Sequence, residues 1–180
     1  MPATISPPQE TGEQWIVLNH VSWDTYERLL SDHMDASAPR FTYDRGALEI
    51  MSPSTEHEEL KENLAAIADA LAEEWGIDFR RLGSTTFRKR DLEGGVEPDA
   101  CFYLQNADRI RGKREIDLMS DLPPDLVIEV VITNPWLDKM AVYARPGVPE
   151  VWRNCGQNVR IFQLRGSATK RAPRAVFCPP

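Results

Sequence analysis

The apolar residues of the chain recur with two different periods, and the periods predict helices and strands. A helical period is clearest in the first half of the chain, where the residues recur at steps of four, three, four and four: Leu60, Leu64, Ile67, Leu71 and Trp75. This spacing places all of these side chains on one helix face. The helix is predicted to begin near Thr55 and to stop at Gly76, because glycine is common just after a helix. A shorter helix is predicted at residues 22–30, with Ser22 as its N-cap.

Short apolar runs bounded by turn residues predict the strands. Residues 41–43 and 47–51 flank Asp44-Arg45-Gly46 and predict a β-hairpin. Residues 126–132 are almost entirely Leu, Val and Ile, which is typical of a strand covered on both faces, so this strand is expected at the centre of a sheet. The other predicted segments are strands at 79–82, 85–88, 96–104, 148–152 and 159–164, and a helix that Asn134 and Pro135 open and that ends near Ala144.

The order of these elements predicts a domain of the α/β (α+β) class, built on one mixed β-sheet with helices packed on it. A length of 180 residues suits a single domain. Prolines without apolar periodicity near both ends predict a loose N-terminus at residues 1–13 and a loose C-terminal tail at residues 166–180. The folded domain is then expected at residues 14–165.

Composition excludes several classes of protein. Hydrophobic residues make up 42% of the chain and charged residues 27%, as in ordinary globular proteins. No run approaches the ~18 consecutive apolar residues of a membrane span, and the N-terminus has no signal-peptide pattern, so a cytoplasmic protein with no membrane partner is expected. Cys101, Cys155 and Cys178 are too far apart to indicate a disulfide framework or a structural zinc site.

The charge distribution leaves room for a nucleic-acid partner. The net charge is −7, which by itself argues against binding to phosphates. Residues 78–114, however, contain nine basic and six acidic residues. The alternative is an ordinary solvated surface. The basic side chains that could contact phosphates are Arg80, Arg81, Arg88, Lys89, Arg90, Arg109, Arg111, Lys113 and Arg114.

Glu129 does not suit its surroundings, because it lies in the middle of the aliphatic strand at 126–132. A buried carboxylate must be protonated, paired with a cation or bound to a metal. Alternation along the strand places Glu129 on the same face as Val127 and Val131. One alternative is a buried ion pair with an arginine such as Arg88.

Asp99 and Lys139 could join Glu129 in one site. Proline is tolerated at the start of a strand, so Pro98 places Asp99 at the mouth of a strand beside Glu129. Two carboxylates there could hold a hard cation such as Mg²⁺. Lys139, in the first turns of the following helix, could stabilise negative charge or orient a water molecule. Alternatively, Asp99 is a turn residue and Lys139 lies on a helix surface.

The order of these motifs resembles the bacterial putative restriction-endonuclease-like family of the PD-(D/E)XK nuclease superfamily. The resemblance covers residues 40–165, most of the predicted domain. Its motifs are Pro98-Asp99, Glu129 in an aliphatic strand, Lys139 with Tyr143 four residues later, Gly147-Val148-Pro149-Glu150-Val151-Trp152, and Met51-Ser52-Pro53-Ser54 followed by His57-Glu58.

The resemblance implies a restriction-endonuclease-like core with a central mixed β-sheet flanked by helices. It also implies hydrolysis of phosphodiester bonds in DNA, with Mg²⁺ (or Mn²⁺) held by Asp99 and Glu129. The superfamily's usual lysine lies two residues after the glutamate, where this chain has Val131. The resemblance therefore requires the relocated Lys139 to serve as the catalytic lysine.

His57 and Glu58 are further candidates for the catalytic site. Thr55 and Glu58 also fit a capping box, which needs no active site. On a helical wheel His57 falls beside Leu60 and Leu64, whereas Glu58 points nearly the opposite way. His57 is therefore expected to face inward, either in the site or as a hydrogen-bonded histidine beneath the hairpin.

The rival hypothesis is a noncatalytic binding or dimerisation module on a nuclease scaffold. The nuclease hypothesis expects Asp99, Glu129 and Lys139 in one solvent-reachable cleft, and acids sealed against arginines would contradict it. A homodimer would present two sites to the two strands of DNA. The aromatic residues that could line such an interface, or belong to the core, are Trp15, Trp23, Trp136 and Trp152.

Overall fold

A computed structural model describes residues 12–33, 36, 38–113, 116–132, 136–156, 158–165 and 168–171. In chain order the elements are β1 Gln14–Leu18, α1 Trp23–Asp32, β2 Arg40–Asp44, β3 Ala47–Ser52, α2 Thr55–Glu74, β4 Arg80–Leu82, β5 Phe87–Lys89, a 3₁₀ turn Arg90–Leu92, β6 Gly94–Val96, β7 Ala100–Tyr103, α3 Ala107–Ile110, β8 Leu126–Val130, α4 Lys139–Ala144, β9 Glu150–Asn154, β10 Val159–Arg165 and β11 Ala168–Arg171.

The strands form two sheets within the described residues. The larger sheet has the order β11-β10-β9-β8-β7-β4. It is mixed, because β8 and β9 are parallel while the other neighbours are antiparallel. The smaller sheet is antiparallel and has the order β1-β3-β2-β6-β5. The predicted fold class and central mixed sheet are confirmed, whereas the second sheet was not predicted.

The prediction of a single strand at residues 96–104 is wrong. This part of the chain forms two strands, which belong to different sheets. β6 ends at Val96 in the smaller sheet, and β7 begins at Ala100 in the larger one. Pro98 lies between them and has no N–H to donate to a ladder. The side chain of Glu97 holds the crossing in place, since it accepts hydrogen bonds from Phe41 N and Thr86 Oγ1, both at 2.7 Å.

Strand β8 is buried along its whole length and separates two cores. Leu126, Ile128 and Val130 pack with Leu64, Ala65 and Ala68 of α2 on one face. Val127 packs with Met140, Val142 and Tyr143 of α4 on the other. The predicted alternation is therefore confirmed, and Glu129 shares the α4 face with Val127. The prediction for residues 126–132 overran the strand, which ends at Val130.

Helix α2 packs through a face that coincides only in part with the predicted stripe: Leu64 is buried and Leu60 packs against the core, as predicted. The buried residues of the helix are His57, Leu64, Ala65, Ala68 and Ala72. Three of these five residues are alanines. Ile67 and Trp75, which belong to the predicted stripe, are 52% and 68% exposed. Small alanine side chains allow the helix to approach β8 closely, so shape outweighs hydrophobicity here. The end of the helix is confirmed, since Gly76 has a φ of +63°.

The first helix and the hairpin agree with their predictions. Ser22 caps α1 by accepting a hydrogen bond from Thr25 N at 3.2 Å. β2 and β3 pair as a hairpin, and Gly46 in its turn has a φ of +90°. The rings of Trp23, Tyr26 and Tyr43 pack together between α1 and the hairpin.

Helix α4 is shorter than the helix predicted to open at Asn134 and Pro135, which lie outside the described residues. It begins at Lys139, and Asp138 caps it by accepting from Met140 N. β11 falls in the segment predicted as a C-terminal tail and pairs with β10. The domain limits at residues 14–165 stay a prediction. No helix in the described ranges combines the length and the apolar character needed to cross a membrane.

Candidate active site

The pairing of β7 with β8 brings the two predicted carboxylates together. Ala100 lies opposite Ile128 in this antiparallel ladder, so the preceding Asp99 is next to Glu129 on the same side of the sheet. Val130 N donates a hydrogen bond to Asp99 Oδ2 at 2.6 Å, which ties the carboxylate to β8. Asp99 is fully buried and Glu129 is 1% exposed.

Glu129, Lys139 and Tyr143 form a closed group that we call the Glu129 cluster. Lys139 Nζ donates to Glu129 Oε2 at 2.9 Å, and the Tyr143 hydroxyl donates to Oε1. The two donors lie one turn apart on α4 and therefore point to the same place. Burial, together with the charge and hydrogen bond of Glu129, raises the pKa of Tyr143 well above its usual range. The phenol therefore remains a donor. Arg88 is exposed, so the suggested ion pair with Arg88 is wrong.

A second group, the Asp99 cluster, contains Asp99, Arg40, His57, Glu58 and Glu13. Arg40 Nη1 donates to Asp99 Oδ1 and lies 3.1 Å from His57 Nε2. Arg40 Nη2 donates to Glu58 Oε1 at 2.5 Å. His57 Nε2 is 2.9 Å from Asp99 Oδ1, and His57 Nδ1 contacts the carboxylate of Glu13. One imidazole ring thus contacts two carboxylates and a guanidinium group.

The start of α2 determines where His57 and Glu58 point. Ser54 is the N-cap, and its Oγ accepts a hydrogen bond from His57 N at 3.2 Å. The capping box predicted at Thr55 is therefore wrong, because the helix begins one residue earlier than a Thr55 cap requires. The Ser54 cap lets Glu58 pair with Arg40 and Lys61 instead. His57 faces inward, as predicted.

Glu58 is the member of the Asp99 cluster on its solvent side, with 39% of its side chain exposed. Its partial burial raises the pKa. The hydrogen bond from Lys61 and the charges of Arg40 and Lys61 outweigh that effect, so the pKa lies below its usual value. Glu58 therefore stays ionised and links the buried cluster to the surface.

Three further side chains of the site were missed in the sequence: Arg40, Glu49 and Glu13, which contacts His57. Arg40 is 5% exposed and opens β2, but its position just before the hairpin gave no signal of burial. Glu49 of β3 is 1% exposed, and its Oε2 accepts from Trp136 N at 2.9 Å and Leu137 N at 3.2 Å. These bonds position the chain just before α4 and hence Lys139. An acid in a hairpin strand of otherwise apolar residues was the available signal for Glu49.

The site differs from the predicted cleft in one respect. Asp99 lies beside Glu129 in the β7–β8 ladder and Lys139 contacts Glu129, but the three side chains are 0%, 1% and 7% exposed. The expectation of a solvent-reachable cleft is therefore wrong for this conformation, because the Arg40 side chain and helix α4 cover the carboxylates.

The donor chemistry of the two acids suits a hard divalent cation. Their oxygens accept hydrogen bonds from Arg40, Val130 N, Tyr143 and Lys139, and His57 Nε2 lies 2.9 Å from Asp99 Oδ1. Among the described residues no group of three or more His, Cys, Asp or Glu side chains could hold a metal by itself. Mg²⁺ commonly uses one or two carboxylates and completes its shell with water and substrate phosphate oxygens. Asp99 and Glu129 therefore fit such an ion, provided that Arg40 leaves Asp99 Oδ1.

Most of the basic side chains suggested for phosphate contact have partners within the chain. Arg80 donates to Ile110 O and Lys113 O. Other partners are acidic: Asp69 and Glu62 for Arg81, Asp24 and Glu27 for Arg90, Asp78 and Asp108 for Arg111, and Asp121 for Lys113. Exposed ion pairs are weak and exchange readily. Arg114 lies outside the described residues.

The tryptophans considered for a dimer interface differ in exposure. Trp23 is buried in the core around α1. Trp15 and Trp152 are half-buried, and Trp136 is 76% exposed. Trp23 is therefore a core residue, and a homodimer stays a prediction.

Comparisons with known proteins agree with this architecture. A family model described as "Uma2: Putative restriction endonuclease" matches residues 23–176. A crystal structure of a putative nuclease belonging to DUF820 from Anabaena variabilis is similar in fold, with a TM-score of 0.55 and 17% identity over 84% of this chain and 88% of that chain. No curated protein matches the chain. Because the family model spans most of the sequence and the core is restriction-endonuclease-like, the chain belongs to the Uma2 family of putative restriction endonucleases.

Proposed function

We propose that the chain is a metal-dependent DNA endonuclease that hydrolyses phosphodiester bonds at Asp99, Glu129 and Lys139. The observation that carries the proposal is the position of Asp99 beside Glu129 across the β7–β8 ladder, with the ammonium group of Lys139 from the following helix bonded to Glu129. The family is described as one of restriction endonucleases, and the similar crystal structure is described as a nuclease. A buried lysine beside a buried acid supports the relocated lysine, since Val131 occupies its usual position.

Asp99 and Glu129 would hold one Mg²⁺ (or Mn²⁺) through carboxylate oxygens. When bound, the ion supplies a water of lowered pKa and neutralises negative charge on the phosphate. Lys139 lies against Glu129 at 2.9 Å, where its ammonium group can orient that water or stabilise charge on a phosphate oxygen. Tyr143 and Glu49 keep Glu129 and the start of α4 in position.

DNA would approach from the side of Glu58, the partly exposed member of the Asp99 cluster. Arg88 is exposed, and the exposed ion pairs of Arg90 cost little to exchange, so both can supply phosphate contacts. They lie at the Asp44 end of the smaller sheet, away from Arg40, and would contact a more distant part of the DNA. We find no base-reading element in the described residues, so contacts to the sugar–phosphate backbone are expected to dominate.

A noncatalytic module remains the second candidate, and one observation favours it: Arg40 lies on Asp99, and both acids are buried. If the Arg40–Asp99 pair were permanent and took the place of a metal, the domain would keep its fold but would not hydrolyse DNA. The two candidates differ in whether the carboxylates bind a divalent cation.

The test is nicking of supercoiled plasmid by the purified full chain with Mg²⁺ or Mn²⁺. Asp99→Asn, Glu129→Gln and Lys139→Met are each expected to reduce the rate by roughly 10²–10³-fold. Asp69→Asn is the matched control, because Asp69 is a partly buried acid paired with Arg81 outside the site. A folded wild-type chain that neither binds Mn²⁺ in calorimetry nor cleaves plasmid or single-stranded DNA would favour the module.

A further inference from the structure

We propose that Arg40 is a displaceable internal cation: it holds Asp99 in the metal-free chain, and a divalent cation at Asp99 and Glu129 displaces its guanidinium group towards Glu58. The inference rests on the proposed function and describes how that metal site is loaded. It assigns to Arg40 a positioning role that the sequence motifs do not include.

The guanidinium group of Arg40 occupies the place that a metal would need. Arg40 Nη1 donates to Asp99 Oδ1, an oxygen that a metal on Asp99 and Glu129 would use. The side chain is 5% exposed, and its Nη1 contacts both His57 and Asp99. Asp99 Oδ1 already accepts from the guanidinium group and lies 2.9 Å from His57 Nε2, and Oδ2 accepts from Val130 N. A divalent cation on Asp99 would therefore have to take the lone pair that Arg40 now uses. Metal binding and the Arg40–Asp99 pair therefore compete.

Arg40 also has a way out of the site. Its Nη2 donates to Glu58 Oε1 at 2.5 Å, and Glu58 is 39% exposed. A rotation of the arginine side chain about this outer contact can withdraw Nη1 from Asp99 without unpairing the guanidinium group. Glu58 stays ionised to receive it, because Lys61 also stabilises its charge.

Arg40 is incompletely satisfied where it lies. Its Nε is buried and has no hydrogen-bond partner among the described residues. Arg145 shows the contrast: its Nε donates to Ala141 O at 3.2 Å, Nη1 to Leu92 O at 2.9 Å and Nη2 to Asp44 Oδ1 at 2.6 Å. A buried donor without an acceptor costs free energy that withdrawal towards solvent recovers. Arg145 has the geometry of a permanent structural arginine, whereas Arg40 does not.

The test is calorimetric titration of Mn²⁺ into the metal-free full-length wild type, Arg40→Met and Arg145→Met. Removing the competitor is expected to tighten Mn²⁺ binding by about tenfold or more in Arg40→Met. Arg145→Met removes an arginine–aspartate pair elsewhere and is expected to bind Mn²⁺ within about twofold of the wild type. Thermal unfolding adds a second readout, because saturating Mn²⁺ should raise the Tm of Arg40→Met more than that of the wild type.

The outcomes separate the two proposals. Equal Mn²⁺ affinity of the wild type and Arg40→Met would overturn the exchange and leave the metal-dependent nuclease intact. Absence of binding to both proteins would overturn the exchange and the proposed function together. If Arg40→Met does not fold, a crystal structure of the wild type grown with Mn²⁺ decides: a guanidinium group away from Asp99 supports the exchange, and one still bonded to Asp99 beside the metal contradicts it.

Discussion

The two carboxylates of the site are neighbours, but the structure neutralises them in different ways. Glu129 is paired with Lys139 and Tyr143, and all three side chains are buried. Asp99 is paired with Arg40, whose other end reaches the partly exposed Glu58. The Glu129 cluster is therefore closed, whereas the Asp99 cluster is connected to the surface. The difference indicates that one acid is held permanently and that the other is held by a cation that can leave.

Such a division suits a metal site that is assembled in steps. A closed cluster keeps the proposed metal ligand Glu129 and the proposed catalytic Lys139 in register with the sheet, as catalysis by preorganised charges requires. An open cluster lets a second ligand exchange its counter-ion without exposing a bare carboxylate to the core.

The largest effect on stability is expected from Lys139→Met. This substitution leaves Glu129 buried without its cation, which costs about 3–5 kcal/mol of the free energy of unfolding. Urea denaturation measures the loss. The double variant Lys139→Met with Glu129→Leu is the control and should recover much of it, because no uncompensated charge remains. A loss below about 1 kcal/mol, as for an exposed pair, would show that the Glu129 cluster is open to water.

A smaller loss is expected from Tyr143→Phe, which removes one donor to Glu129 but keeps the ring. A hydrogen bond to a charged group contributes about 1.5–3 kcal/mol. Tyr103→Phe is the matched control, because its hydroxyl donates to the neutral Leu122 O at 3.0 Å, a bond worth about 0.5–1.5 kcal/mol. Equal losses from the two variants in urea denaturation would contradict the charged, buried environment of Glu129.

The cap at Ser54 tests how α2 supports the Asp99 cluster. Ser54→Ala should lower the free energy of unfolding by about 1 kcal/mol, because His57 N loses its acceptor. Ser22→Ala removes the equivalent cap of α1 and should cost a similar amount. The pair separates stability from function: we expect slower plasmid nicking at saturating metal only for Ser54→Ala. Equal nicking rates would show that the position of His57 does not matter.

The smallest effect concerns pH and Glu58. The pKa of Glu58 lies below its ordinary value of 4.5 in the folded chain, so its contribution to stability is complete above that value. The contribution is lost as the pH falls through the folded pKa. Because Glu58 is partly exposed, the effect should stay below about 1 kcal/mol. Glu58→Gln should therefore flatten the acid limb of a stability–pH profile, and Glu56→Gln, in the same helical turn, should not.

The fold was predicted well where the residues of one element were sufficient. The hairpin turn at Gly46 and the end of α2 at Gly76 follow from local backbone requirements, and the burial of β8 follows from its composition. The predictions failed where the neighbouring element decides where a strand ends or which face of a helix is buried. The step from β6 to β7 depends on two sheets meeting at Pro98, and the buried face of α2 depends on how closely its alanines approach β8.

The candidate site shows the same difference between features that one element determines and features that depend on its partners. The sequence by itself determined that Glu129 needed a partner and that Lys139, ten residues later, was a candidate, because a strand followed by a helix brings such positions together over a short span. Only the tertiary structure decided that Arg40, His57 and Glu13 would meet around Asp99. Those side chains come from separate elements, and their contacts depend on strand register and helix packing summed over the whole core, which no local pattern encodes.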